Sequence, residues 1–126
     1  MLYDADIREP LFEFLEDNYG KIRIIEEKQI AKSRADVVMV MPDGIVGIEI
    51  KSDADTYARL ERQVKDYNRY FDFNYVVVGS KHARHVSEHV PKWWGIISVE
   101  LIHGKVDFYV IREPAKNPKM KIKKKL

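Results

Sequence analysis

The chain has 126 residues, no cysteine, 45% hydrophobic and 33% charged residues, and a formal net charge of +2. That length suits one domain with a buried core, and the composition is that of a folded globular protein. Disulfides, thiolate zinc sites and cysteine nucleophiles are excluded. No apolar run approaches the roughly 20 residues of a bilayer span, and the first residues lack the basic-then-apolar layout of a signal peptide. A cytoplasmic setting without membrane contact is expected.

Residues 4–18 read as a helix, with Ile7, Leu11, Phe14 and Leu15 on one stripe and Glu9, Glu13 and Glu16 opposite. Pro10 suits only a first turn, which places regular helix from about Glu9, and Gly20 is a natural stop. Residues 21–29 read as a strand. Residues 36–41 and 45–51 read as a hairpin through Pro42-Asp43-Gly44, apolar on both faces as central strands are. The spacing of Tyr57, Leu60, Val64 and Tyr67 predicts a helix over 55–71. Residues 74–79 read as a buried strand, 82–90 as a short helix, and 94–99 with 106–111 as a strand pair turning at His103-Gly104. The order α-β-β-β-α-β-α-β-β describes an α/β (α+β) domain, a mixed sheet flanked by helices.

Charge is unevenly spread. Six lysines and no acid follow residue 115, and setting them aside leaves 16 basic against 20 acidic residues. Such a tail suits salt-sensitive contact with phosphates, or is a solvated terminus.

The hairpin carries the chemistry. Glu49 and Lys51 are two apart, so a strand points both at one face, and the turn would fold Asp36 back beside Glu49. Two carboxylates on rigid strands can hold Mg²⁺, which takes one or two protein carboxylates and keeps several waters. The Ile50 carbonyl could add an oxygen, and Lys51 could orient a water or stabilise charge growing on a phosphate. The competing reading is an ion pair of Asp36 and Glu49 with Lys51 or Arg34, since buried charge must be paired or metal-bound.

Asp36 followed by Glu49-Ile50-Lys51 after a hairpin resembles the PD-(D/E)xK nuclease superfamily of restriction enzymes, junction resolvases and RecB-type nucleases. Gln63 and Tyr67 are similar to the Gln-xxx-Tyr motif of RecB-type members. Glu-Ile-Lys-Ser-Asp and Pro-Lys-Trp-Trp-Gly look similar to small stand-alone members, including MmcB-like DNA-repair proteins and phage proteins. Ala35 stands where the motif name has proline. The chain reads as a single domain of residues 1–114 followed by a basic, flexible tail of 115–126, and the resemblance implies a restriction-endonuclease-like αβββαβ core over roughly residues 4–79. It also implies a Mg²⁺- or Mn²⁺-dependent nuclease acting on DNA ahead of RNA, in repair, recombination or phage DNA processing. Asp36, Glu49, Lys51 and Gln63 would be catalytic. Asp36, Glu49, Ile50 and Glu9 (or Glu13) would be the metal ligands, and Tyr67, Arg59 and Arg62 would contact nucleic acid. Junction-cutting members work as dimers, so a homodimer is one available state. The alternative is a nuclease-fold module that binds nucleic acid without cleaving it. A third is an assembly protein using the aromatics near Trp93.

Other features have plainer readings. His82, His85 and His89 would share one helical face, as a solvated or DNA-facing surface sooner than a zinc site. Trp93 and Trp94 alternate, one inward and one capping the core edge or stacking on a base. Gln63 and Tyr67 could be a surface pair, with Tyr67 also on the apolar stripe. Arg59, Arg62, Lys65 and Arg69 give the long helix a basic face that suits phosphates or simple solubility.

Overall fold

The structure is a computed structural model that describes residues 2–120. Helix α1 (Asp4–Tyr19) precedes three strands, β1 (Arg23–Ile30), β2 (Ser33–Met41) and β3 (Gly44–Lys51). Helix α2 (Leu60–Tyr70), strand β4 (Phe73–Gly79), a single turn α3 (Ser80–Ala83) and a 3-10 turn at Val86–Glu88 come next, before β5 (Gly95–Ile102) and β6 (Lys105–Arg112). The six strands form one mixed sheet in the order β1-β2-β3-β4-β5-β6. The β3–β4 and β4–β5 pairs are parallel, with α2 and α3 in the crossovers, and the other pairs are antiparallel. The mixed α/β class expected from the element order is the observed one.

The sheet has a core on each face. Ile7, Leu11 and Leu15 of α1 pack on Val37, Met39, Val46, Ile48, Ile50, Tyr75 and Val77. Leu60, Val64, Tyr67 and Phe71 pack on the other face with Val38, Val76, Val78 and Trp94. Gly47 makes that second packing close. A Cβ at residue 47 would lie 2.3 Å from the Phe71 ring, so only glycine lets α2 approach β3.

Several expected boundaries move. Helix α1 begins at Asp4, not near Glu9, and Pro10 lies inside it. Asp6 reaches back to accept the Tyr3 N–H at 2.9 Å, and Asp4 and Asp6 favour the positive end of the helix dipole. That start outweighs the one hydrogen bond Pro10 cannot make. Helix α2 begins at Leu60 instead of Asp55, because the Asp55 carboxylate accepts both the Ser52 N–H (2.8 Å) and the Ser52 hydroxyl (3.0 Å). These bonds close a turn ahead of the helix. The single helix expected over 82–90 is two separate turns.

The body also runs past residue 114. Asn117 is buried, donates its side-chain N–H groups to the Asn68 and Phe71 carbonyls (2.6 and 2.8 Å), and gives its own N–H to Asp72 O. The expected tail is therefore docked as far as Asn117. Its lysines 121, 123, 124 and 125 lie outside the described residues.

The strand pairing is irregular around Asp36. The β1–β2 ladder passes from Glu26–Val37 to Lys28–Ala35 and skips the Glu27–Asp36 pair, while the β2–β3 ladder stops at Val37–Ile48. Glu27 has φ 55, a conformation that non-glycine residues rarely adopt. The pleat changes phase there: Ile24 and Val37 pack with the α1-side core, but Ile30 and Ala35 pack with the α2-side core.

Gly47→Ala is expected to destabilise the fold by about 1–3 kcal/mol through overpacking. The urea-unfolding midpoint measures it. Phe71→Leu in the same chain should recover part of the loss, because the two residues are in contact.

Candidate functional site

At the C-terminal end of β3, Asp36, Glu49, Ile50, Lys51 and Gln63 line one cleft of about 400 Å³. Asp4, Gln29, Lys32, Ser33, Arg34, Ser52, Asp55, Arg59 and Arg62 complete its wall. Strand β3 turns Ile48 and Ile50 to the α1-side core and leaves Gly47, Glu49 and Lys51 facing α2. Glu49 and Lys51 are consequently buried, at 4% and 5% exposure, with their ends at the cleft.

Asp36 is held by side chains where the sheet no longer holds it. Its N–H donates to Tyr67 Oη (3.2 Å), and its carbonyl accepts from Arg8 Nη1 (3.1 Å). Its carboxylate accepts the Ile50 N–H at 2.9 Å and faces Arg8 Nη2 at 3.5 Å. The Ile50 N–H and C=O point to the same side of an extended strand. The carbonyl is therefore directed toward Asp36, as an oxygen ligand would need.

Glu49 is gripped from α2. Tyr67 Oη donates to Glu49 Oε1 and lies 3.3 Å from the Ile48 carbonyl, while Gln63 Nε2 donates to Glu49 Oε2 at 2.8 Å. Residues 63 and 67 are one turn apart on α2, so both reach the same carboxylate. Burial, and then the Asp36 charge, push Glu49 well above the usual carboxylate range, against the Tyr67 hydrogen bond and the Lys51 charge. Burial also raises Asp36, with the Ile50 N–H and Arg8 opposing. Burial lifts Tyr67 well above the ordinary tyrosine value, helped by the two carboxylates. Its phenol stays a neutral donor.

Three expectations change. Glu9 and Glu13 are exposed and line no part of the cleft. With α1 starting at Asp4, it is Asp4 and Arg8 that face the site. Tyr67 is fully buried with its ring among Phe71 and Trp94, so it cannot touch nucleic acid and serves instead to hold Glu49 and Asp36. The three histidines do not form one surface, since His82 and His89 both pack on Tyr57 and His85 stands apart. His82 is buried with Nε2 3.0 Å from the Asp55 carbonyl, His89 stacks on Tyr57, and exposed His85 sits 3.3 Å from Glu88.

Other residues keep or sharpen their readings. Arg59 and Arg62 are exposed at the cleft rim, whereas Lys65 and Arg69 are exposed on α2 away from it. Trp94 is core and Trp93 is half-buried beside it, both indole N–H groups donating to Asn68 Oδ1. Arg8 is a site residue that the sequence motifs do not single out. The Asp4–Arg8 spacing of four on a helix is the available signal.

Among the described residues no three His, Asp or Glu side chains converge in a way that could hold a metal ion. The donor set is two carboxylates, Asp36 and Glu49, with the Ile50 carbonyl. That set suits Mg²⁺, which keeps most of its ligands as water. Gln63 Oε1 is buried without a hydrogen-bond partner at the same cleft, as befits a group that meets bound water or an ion.

The bacteriophage P4 protein cII family model matches residues 1–126. The chain belongs to the bacteriophage P4 cII family. A comparison of this cII-family chain with curated proteins finds no match. Among solved structures it is similar to SfsA of Pyrococcus furiosus in complex with Ca²⁺, at 16% identity and a TM-score of 0.47, over 82% of this chain and 59% of that one. The chain thus spans less than two thirds of that SfsA chain. No helix among the described residues is long and apolar enough to cross a membrane.

The raised Glu49 carboxyl sets a stability profile. The folded chain holds a proton on Glu49 that the unfolded chain releases earlier, so stability falls as pH rises from the ordinary carboxylate value through the Glu49 value. Glu49→Gln lacks that titration. In urea unfolding between about pH 4 and pH 9, the variant should gain on wild type as pH rises, and the gain should vanish at the acid end. A difference independent of pH would contradict the assignment.

Tyr67→Phe leaves the Asp36 N–H unpaired and removes a donor from Glu49. It is expected to cost about 1–3 kcal/mol in the same measurement. It should also raise the Glu49 carboxyl further, as read by carboxyl-carbon NMR titration.

Proposed function

We propose that this protein is a Mg²⁺- or Mn²⁺-dependent nuclease of DNA with a restriction-endonuclease-like core, working in the cytoplasm. The observation that supports this reading best is the Asp36–Glu49 pair. Two carboxylates are held against each other at the end of β3, at evident electrostatic cost, with Lys51 on the same face and Gln63 across the cleft. Structural needs alone favour apolar residues at such positions. A group that binds a cation gains from them.

Asp36, Glu49 and the Ile50 carbonyl would hold the divalent ion. When bound, such an ion polarises a phosphoryl oxygen and lowers the pKa of a coordinated water. The chain's own residues do the rest. Tyr67 and Gln63 fix the Glu49 carboxylate, so its oxygens are pre-aimed and cost no reorganisation. Lys51 presents its ammonium group into the cleft beside Glu49, to orient the attacking water or meet charge on the phosphate. Arg59, Arg62, Lys32 and Arg34 ring the cleft and neutralise the neighbouring backbone phosphates, which makes binding salt-dependent.

One observation favours the second reading, a nuclease-fold module that binds nucleic acid without cutting. Asp36 is already engaged by Arg8 and the Ile50 N–H. Cleavage of plasmid and oligonucleotide DNA with Mg²⁺ or Mn²⁺ separates the two. Lys51→Ala and Asp36→Asn should each lose at least about 100-fold in rate while keeping salt-dependent binding. Equal rates in wild type and Lys51→Ala would sink the assignment. Salt-dependent binding with no cleavage under any metal would establish the module.

A further inference from the structure

The end of the β1–β2 hairpin is one wall of the cleft. It supplies Gln29, Lys32, Ser33 and Arg34, and the start of α2 supplies Arg59, Arg62 and Gln63 opposite. A buried polar contact that the site chemistry does not use joins the two walls. Ser33 Oγ donates to Asp66 Oδ2 at 2.5 Å, with the two residues 7% and 8% exposed. Asp66 lies one turn beyond Arg62 and Gln63 on α2, and so shares their side of the helix. Ile30 and Ser33 are paired in the ladder and face the same way, toward α2, where Ile30 joins the core of Leu60 and Val64.

A carboxylate at the depth of Asp66 is costly, and an apolar side chain would serve packing as well. The hairpin turn carries a second cost. Ala31 has φ 48, a conformation that non-glycine residues rarely adopt, and its carbonyl accepts Gln29 Nε2 at 2.8 Å. Buried charge and backbone strain at one hairpin end persist where they fix something that matters. Beside them stand two exposed cations, Lys32 and Arg34, which flank Ser33 in sequence; Arg34 Nε is oriented by Glu27 Oε2 at 2.9 Å. A hairpin end free to swing off α2 would carry both away from Arg59 and Arg62. We propose that Ser33 and Asp66 are positioning residues of the cleft: their hydrogen bond holds the hairpin end on α2, so that Lys32 and Arg34 meet the same run of phosphates as Arg59 and Arg62. The inference rests on the nucleic-acid reading of the cleft and adds what sets the spacing of its walls.

The test reads a slope. Binding of the full chain to a fluorescent DNA duplex is followed by anisotropy without divalent metal, over a range of KCl. Log affinity falls against log salt by about 0.9 for each phosphate neutralised. Lys32→Ala combined with Arg34→Ala should make the slope shallower by about 1–2. Ser33→Ala and Asp66→Ala should each do the same, and Asp66→Ala added to the Lys32/Arg34 double variant should change the slope no further. Asp66→Asn keeps an acceptor for Ser33 without the charge and should keep the wild-type slope. A variant that is merely less stable lowers the amount of binding protein and leaves the slope alone. Asp66→Leu keeps the volume and gives the same answer should the alanine variant fail to fold. Wild-type slopes in Ser33→Ala and Asp66→Ala, a loss in Asp66→Asn equal to that in Asp66→Ala, or a full second loss in the triple variant overturns the positioning role and leaves the nucleic-acid reading standing. No salt-dependent binding by wild type overturns that reading and this inference with it.

Discussion

The structure around the end of β3 depends on how Asp36 is held. It falls out of both neighbouring ladders, and its main-chain N–H and C=O would be orphaned next to a buried core. Tyr67 from α2 takes the N–H and Arg8 from α1 takes the carbonyl. One residue thus ties the two helices together through the sheet that separates them. With its backbone released from regular pairing, its carboxylate can turn along the sheet to the Ile50 N–H and stand beside Glu49. A regular strand would have kept the pleat in phase and fixed that side chain to one face.

The second constraint is electrostatic. Two carboxylates side by side at low exposure repel each other, and burial favours their neutral forms. The surroundings oppose this with a phenol and an amide from α2, a lysine from β3 and an arginine from α1. None of these neutralises the pair outright, and the raised carboxyls record the residue of the cost. A structural ion pair would have a closed arrangement, with partners matched to charges. Here Lys51 makes no hydrogen bond or ion pair among the described residues, and Gln63 leaves an oxygen open. An incompletely matched polar cluster at the mouth of a cleft is what a bound cation would complete.

Much of this is legible in residue spacing. The period of two along β3 identifies Glu49 and Lys51 as neighbours on one face, and the four-residue step on α2 brings Gln63 to them. The core stripes of both helices read correctly from Ile7, Leu11 and Leu15 and from Leu60, Val64 and Tyr67. Spacing misleads where local rules compete. Pro10 argues for a late start to α1, but Asp6 capping at Tyr3 starts the helix early and turns Asp4 and Arg8, not Glu9, toward the site. Asp55 looks like a helix start because of its position, although its carboxylate closes a turn with Ser52. The motif around Tyr67 suggests a nucleic-acid contact, whereas its place on the apolar stripe describes it better. The phase change at Glu27–Asp36 leaves no trace in the hydrophobic pattern, because it is imposed by tertiary partners.

Helix α2 has a double duty with an unequal tolerance for change in length. Its residues 60, 64 and 67, with Phe71 just past its end, fill the core while 63 and 67 meet Glu49. One residue inserted within it would rotate everything beyond by about 100°, stripping the carboxylate of its partners and the core of its filling in a single step. The segment from Asp53 to Ala58 carries no helical phase and is held at single points instead, by Asp53 on Leu2 and Asp55 on Ser52. Helix α2 is therefore the part of this connection that can change in side chains but not in length.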